Sequence, residues 1–237
     1  MTKLSVNINK LATIRNSRGG NNPDVVQYAR KIESYGAHGI TIHPRPDQRH
    51  IRFDDVYNLK KVVSTEYNIE GYPSEDFINM VIDVKPTQVT LVPDPPHVLT
   101  SNNGWDCATN LAFLQSVIAR FKAEGIRTSI FLNPDKNMLA AAKDTGTDRI
   151  ELYTEAYATG FHKDKEAAVR AYKETAEAAM GFGLGINAGH DLDLHNLKYF
   201  AQEVPGLLEV SIGHALICDA LEFGMENTVR MYLNQLV

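Results

Sequence analysis

Short β-rich runs alternate with longer helical patterns from one end of this 237-residue chain to the other, and few architectures accept that rhythm. The β-rich runs fall at 4–8, 39–42, 67–70, 87–92, 127–132, 149–153, 184–187 and 208–212. Between them the apolar residues change to helical spacing. Val25, Ala29 and Ile32 share one face of a first helix, with Asn22-Pro23 as its N-cap and first-turn pair and Gly36 as its stop. Val56, Leu59 and Val63 are in register over 54–65, and Ser74 opens a further helix. Leu111, Leu114, Ile118 and Phe121 mark 105–124, which ends at Gly125, and a last helical pattern runs from about 215 to the C-terminus. Strands alternating with helices predict a parallel sheet. Eight such units in a chain of this length predict one closed (β/α)8 TIM barrel over residues 1–237, with extra short helices; a doubly wound open sheet is the alternative.

Several functions are excluded before any site is considered. The net charge is -5 and no basic stripe is present, which argues against a nucleic-acid partner. Small phosphorylated substrates need only a few placed donors and stay open. Cys107 and Cys218 form neither a disulfide framework nor a zinc motif. The first residues lead straight into a strand pattern without an apolar leader, and no run reaches the length of a membrane span. The expected compartment is therefore the cytoplasm, with no membrane partner. In Gly181-Phe-Gly-Leu-Gly185 the glycines close a helix and open a strand, the reverse of a dinucleotide fingerprint, so they predict a C-cap and turn.

A barrel of this kind places its active site where strands end and βα loops begin. Those positions hold Asn7, Asn9 and Lys10 after the first run, His43 and Arg45 after the second, and Glu70 at the end of the third. Glu151 and Tyr153 lie near the end of the sixth, Asn187 and His190 at the seventh, and Gly213 and His214 after the eighth. Taken singly, each has a plain structural use: a histidine can cap a helix, Glu70 can pair with Arg45, and Asn187 can shape a turn. Together, a carboxylate and several imidazoles at one barrel mouth suit proton transfer near neutral pH. Glycines before helix starts at Gly189 and Gly213 suit phosphate, because backbone N–H donors there point at an anion.

The motifs resemble those of the pyridoxine 5'-phosphate synthase family. They are Val6-Asn-Ile-Asn-Lys-Leu-Ala-Thr-Ile-Arg-Asn-Ser-Arg-Gly19, Gly39-Ile-Thr-Ile-His-Pro-Arg45, Arg49-His-Ile51, Asn68-Ile-Glu70, Leu91-Val-Pro93, Asn187-Ala-Gly-His190 and Ser211-Ile-Gly-His214, in family order along the whole chain. The resemblance implies condensation of 3-amino-2-oxopropyl phosphate with 1-deoxy-D-xylulose 5-phosphate to pyridoxine 5'-phosphate, phosphate and water, with no cofactor and no metal. It implies His43, Glu70 and His190 as the acid–base residues. It implies Asn7, Arg18, Asp191, Gly213 and His214 against the amino-ketone phosphate, and Asn9, Lys10, Arg45, His50 and Thr100 against the deoxyxylulose phosphate. It also implies a homo-oligomer, an octamer.

Three positions depart from the family pattern: Asn9-Lys10 stand where Asp-His is common, and Asp191 where Gly is common. Asn9 still hydrogen-bonds a hydroxyl and Lys10 still meets an anion. A carboxylate at 191 repels a phosphate unless it points away, for example as the N-cap of the following helix. The long polar loop 93–104 is expected to act as a lid, with Thr100 reaching the phosphate. Two rival readings use the same residues: a metal-dependent aldolase or epimerase with His43, Glu70, His190 and His214 as ligands, and a non-catalytic phosphate binder. Exhaustive chelation separates the first rival. Turnover is expected to survive it unchanged, whereas a loss restored by one divalent ion would favour the metal enzyme.

Overall fold

Eight strands pair in chain order, all parallel, and the last closes on the first. They are β1 (Lys3–Asn7), β2 (Gly39–Ile42), β3 (Glu66–Gly71), β4 (Gln88–Leu91), β5 (Arg127–Leu132), β6 (Arg149–Leu152), β7 (Gly185–Gly189) and β8 (Leu207–Ile212). This computed structural model describes residues 1–93 and 103–237. The helices described are α1 (Asn9–Asn16), α2 (Val25–Ser34), α3 (Phe53–Lys60), α4 (Glu75–Val84), α5 (Leu111–Ala123) and α6 (Leu139–Asp144). They continue as α7 (Glu155–Phe161), α8 (Lys165–Gly181), α9 (Leu197–Glu203), α10 (His214–Phe223) and α11 (Met225–Asn234). The closed barrel is the predicted one, and the open sheet is ruled out.

Successive side chains of a strand point to opposite faces, and this chain gives the two faces different chemistry. Ile40, Ile42, Ile69, Leu91, Ile150, Val210 and Ile212 are fully buried in the apolar core that packs with the helices. Most of the alternate positions, which turn into the barrel, are polar; Phe131 of β5 is an exception. Ser5 Oγ meets Thr41 Oγ1 at 2.7 Å, Asn68 Nδ2 donates to Thr41 Oγ1 at 3.4 Å, and Thr90 Oγ1 donates to Asn68 Oδ1 at 3.1 Å. Glu66 takes Lys3 at 3.2 Å and Arg127 at 2.5 Å, while Arg149 lies 3.5 Å from Glu209. Barrels of this class usually fill their interior with Val, Ile and Leu. Here the interior is a column of hydrogen-bonding side chains that ends at the mouth.

Several boundaries differ from the predicted ones, each for a local reason. The first predicted helix begins later, at Val25, because Asp24 and not Asn22 is the N-cap: its carboxylate accepts from the N–H of Val26 and Gln27 at 2.9 and 3.0 Å. Burying Val25 and Ile32 is worth roughly 1.5–3 kcal/mol each against about 1 for the cap, so packing holds α2 and the cap only sets its start. Trp105 is not helical. Its N–H donates to the Phe131 carbonyl and its indole to the Leu91 carbonyl, tying 105 to two strands and delaying α5 to Leu111. The last predicted helix breaks at Gly224, whose φ of +77° no helix accepts. The glycines at 181–185 do end α8 and start β7.

One contact fixes the loop that follows β2. Arg15 of α1, wholly buried, grips Asp55 of α3 with two hydrogen bonds of 2.7 and 2.8 Å and donates to the His50 carbonyl at 3.1 Å. Asp55 also accepts from the Arg52 N–H at 2.7 Å, closing the first turn of α3. Removing one member of a buried pair strands the other charge. Asp55→Ala is expected to cost about 3–5 kcal/mol in urea unfolding. Glu226→Ala, which breaks the exposed pair with Arg230 on α11, should cost under about 0.5 kcal/mol. Equal losses would contradict this assignment.

Candidate active site

The C-terminal ends of the strands surround a cavity of about 810 Å³. Asn7, Asn9, Lys10, His43, Arg45, His50, Glu70, His190, Asp191, Gly213 and His214 all line it, as the sequence leads one to expect. Arg18 does not: it is exposed on the turn after α1 and is absent from the cavity wall. Thr100, with most of the loop expected to be a lid, lies outside the described residues. A second, mainly apolar cavity of about 550 Å³ between α3 and α4 shares only His43 and Arg45 with the wall of the larger one. The convergent titratable groups belong to the larger one.

Backbone and side chains lock the walls to each other. Asn7, last in β1, donates to Glu70 at 3.4 Å and accepts from the Asn9 N–H at 3.0 Å. Asn9 in turn accepts from the His43 N–H at 2.9 Å, so the residue expected to touch substrate also sets the start of the β2 loop. Gly213 packs on Asn7: a Cβ there would lie 3.0–3.2 Å from its side-chain atoms. Gly189 is tighter, since a Cβ would fall 2.1 Å from the Ser211 carbonyl oxygen. α10 begins directly after Gly213, with its first residue, His214, on the cavity wall. That end presents N–H donors to an anion, and Lys10, Arg45 and Arg49 supply positive charge nearby.

The electrostatics separate acids from bases. Burial, reinforced by the charge of Glu209, pushes Glu70 well above the ordinary carboxylate range. Glu151 is raised for the same reason, burial first and then Glu70 and Glu209. Two interacting carboxylates cannot both ionise readily, so the pair holds its protons to higher pH than free carboxylates do. His43 is driven the other way, well below the usual imidazole range, by burial and then by Arg45, His50, Arg49 and His190. His50 is pushed down to about 4 by burial and by Arg45, Lys10 and Arg49. His190 alone among the three is raised, chiefly by its hydrogen bond to Asp191 at 2.9 Å. Asp191 is therefore not the N-cap suggested by sequence. Its carboxylate turns to the neighbouring ring, and α9 starts only at Leu197.

Sequence reasoning placed Glu151 at a strand end and Arg49 and Ser211 in the family motifs but gave none of them a role, yet all three line the cavity. The signal for Glu151 was present: in 149–152 it alternates with Ile150 and Leu152, which face the helices, so it must face the barrel interior. Among the described residues, no three of His, Cys, Asp and Glu are placed to share a metal ion. Likewise, among the described residues, no helix is long and apolar enough to cross a membrane.

The raised carboxyl has a measurable sign. In the unfolded chain Glu70 loses its proton near 4.5, before the folded chain does, so this group lowers stability as pH rises above 4.5 through the folded value. Gln cannot ionise. The stability of Glu70→Gln relative to the parent should therefore grow steadily between pH 5 and 9 in urea unfolding, and a constant difference would contradict the assignment.

The chain is similar to known proteins in fold and in sequence. At the level of the fold, the tryptophan synthase A-subunit of Pyrococcus furiosus superposes with a TM-score of 0.66 at 15% identity, over 98% of this chain and 97% of that one. Phosphoribosylanthranilate isomerase of Thermotoga maritima gives 0.62 at 12% identity, over 100% and 98%. In sequence, pyridoxine 5'-phosphate synthase of Cytophaga hutchinsonii is 60% identical over 236 residues, covering 100% of this chain and 99% of that protein. The synthase of Porphyromonas gingivalis is 59% identical with the same coverage. The model of the family described as pyridoxal phosphate biosynthesis protein PdxJ matches residues 4–237, and the chain belongs to that family.

Proposed function

We propose that the chain is a pyridoxine 5'-phosphate synthase. It would join 3-amino-2-oxopropyl phosphate to 1-deoxy-D-xylulose 5-phosphate, releasing phosphate and water, in vitamin B6 biosynthesis. The observation that carries this reading is the convergence, in one cavity, of two carboxyls that hold their protons more tightly than usual, an imidazole driven toward its neutral form and another favoured in its charged form. The reaction needs that mixture. An amine must add to a ketone, water must leave from carbinol carbons, protons must come off carbon, and one phosphate must depart before the ring aromatises. Each step moves a proton, and none needs an electron carrier.

The roles divide by protonation state. His43, held neutral, accepts a proton from the attacking amine or an adjacent carbon. Glu70 and Glu151, sharing protons at the floor, give them to departing oxygens and take them back. His190, held charged, serves as an acid at the phosphate end. Lys10, Arg45 and Arg49 with the start of α10 offset the phosphate charges, with Asn7, Asn9 and His50 orienting hydroxyl and carbonyl groups. Arg18 and Thr100 complete the set that the resemblance implies, as does assembly into a homo-oligomer, an octamer, in the cytoplasm. The metal-dependent aldolase reading lacks a ligand cluster among the described residues.

Purified protein supplied with both ketone phosphates tests the reading. Pyridoxine 5'-phosphate and free phosphate should appear in equal amounts. Glu70→Gln should lower kcat by roughly a hundredfold or more at near-unchanged KM, in line with losing one acid–base group. Arg45→Ala should raise KM for the deoxyxylulose phosphate first. Full turnover in Glu70→Gln would remove that carboxyl from the chemistry.

A further inference from the structure

His190 and Asp191 are consecutive, and consecutive side chains normally diverge. Here they meet. His190 takes a left-handed backbone conformation, φ +49°, which a residue with a Cβ adopts at some cost. The turn brings Nδ1 of its ring within 2.9 Å of an Asp191 carboxylate oxygen. The backbone of Asp191 is pinned independently: its N–H contacts the Thr154 hydroxyl at 3.1 Å and the Gly189 carbonyl at 2.7 Å, and its carbonyl accepts from Asn196 at 3.4 Å. Thr154 itself is buried and donates to the Gly189 carbonyl. On the other side, the Tyr153 ring meets the imidazole edge-on, with centroids 6.0 Å apart. A carboxylate and an aromatic ring thus flank the imidazole.

We infer that Asp191 is a positioning residue for His190: its carboxylate holds the ring through Nδ1–H, fixes Nε2 as the nitrogen that meets the substrate, and sustains the ring as a proton donor. The inference rests on the acid–base reading above. It also explains how a carboxylate can stand on the wall of a cavity built for phosphates, since its charge is answered by the neighbouring imidazolium. The groups facing His190 differ in sign, and the acidic ones prevail. Asp191 on its own loop and Glu151 from β6 favour the charged ring; burial and Lys10 from α1 oppose it, and Tyr153, just after β6, contributes its ring edge. Asp191 outweighs the opposition, and the ring titrates above the ordinary imidazole value. His43, across the cavity, stays neutral and adds no opposing charge. Because the side chain of His190 is 42% exposed, the effect is that of a partly screened pair.

Nitrogen-15 NMR of histidine-labelled protein, with the His190 signals identified through His190→Gln, tests the pairing without turnover. The parent protein should carry the neutral-ring proton on Nδ1. In Asp191→Asn, which keeps an acceptor but removes the charge, the His190 midpoint should fall by about 1 on the pH scale. The alkaline fall of kcat should move down by the same amount, because a proton donor is lost at lower pH. Asp191→Gly, which removes acceptor and charge together, should lower kcat by roughly tenfold or more, with KM little changed. A proton on Nε2 in the parent, or a His190 midpoint equal in parent and Asp191→Asn, would overturn the inference. Absence of product with the NMR shift intact would instead overturn the proposed reaction and leave the ring pairing established.

Discussion

Glu70, half-buried, and Glu151, buried, line one cavity, and neither can take its charge without raising the cost for the other. The rest of the site is arranged around that conflict. Glu209 deepens it from below, within the polar column, while Arg149 and Arg127 temper Glu209 itself. Above it, one imidazole is driven toward its neutral form by burial and by nearby cations, and another is favoured in its charged form by a carboxylate. The mouth therefore holds groups poised on both sides of their titrations at one pH, a condition that water-exposed side chains would not meet.

Such a site needs a frame that does not relax. The barrel supplies it through parallel pairing that closes on itself, so each functional strand end is held by two neighbours. The β2 loop, which carries Arg45, Arg49 and His50, is held differently. Arg15 reaches from α1 to Asp55 and to the His50 carbonyl, and Asn16 donates to that same carbonyl at 2.7 Å. Breaking the Arg15–Asp55 pair would cost stability and would also release the loop that presents the cations. The polar interior has a related consequence: the apolar core lies almost wholly between strands and helices, leaving the lumen to hydrogen bonds and charges.

Much of this was legible in the sequence because periodicity and position carry it. Alternation at 149–152 and the runs ending at His43, Glu70 and Gly213 follow from the two-residue repeat of a strand, and motif order named the family. What could not be read was set by contacts distant in sequence or by local turn geometry. Asn22-Pro23 looks like a helix start, but only coordinates show the Asp24 carboxylate on two N–H groups. Trp105 reads as helical until its bonds to Leu91 and Phe131 are seen. The side chain of Asp191 has two plausible directions on paper, and the φ of His190 decides between them. Leu208 illustrates the same limit: an irregular register between β7 and β8 leaves it 42% exposed inside an otherwise buried strand.

The central claim is that carboxyl protons are resident at the barrel mouth at neutral pH. Carbon-13 NMR of glutamate-labelled protein measures this directly, with the two signals identified by their loss in Glu70→Gln and Glu151→Gln. The account predicts that both carboxyls titrate well above the ordinary glutamate range and that removing either one lowers the midpoint of the other. Two carboxyls that titrate independently within the ordinary range would contradict it.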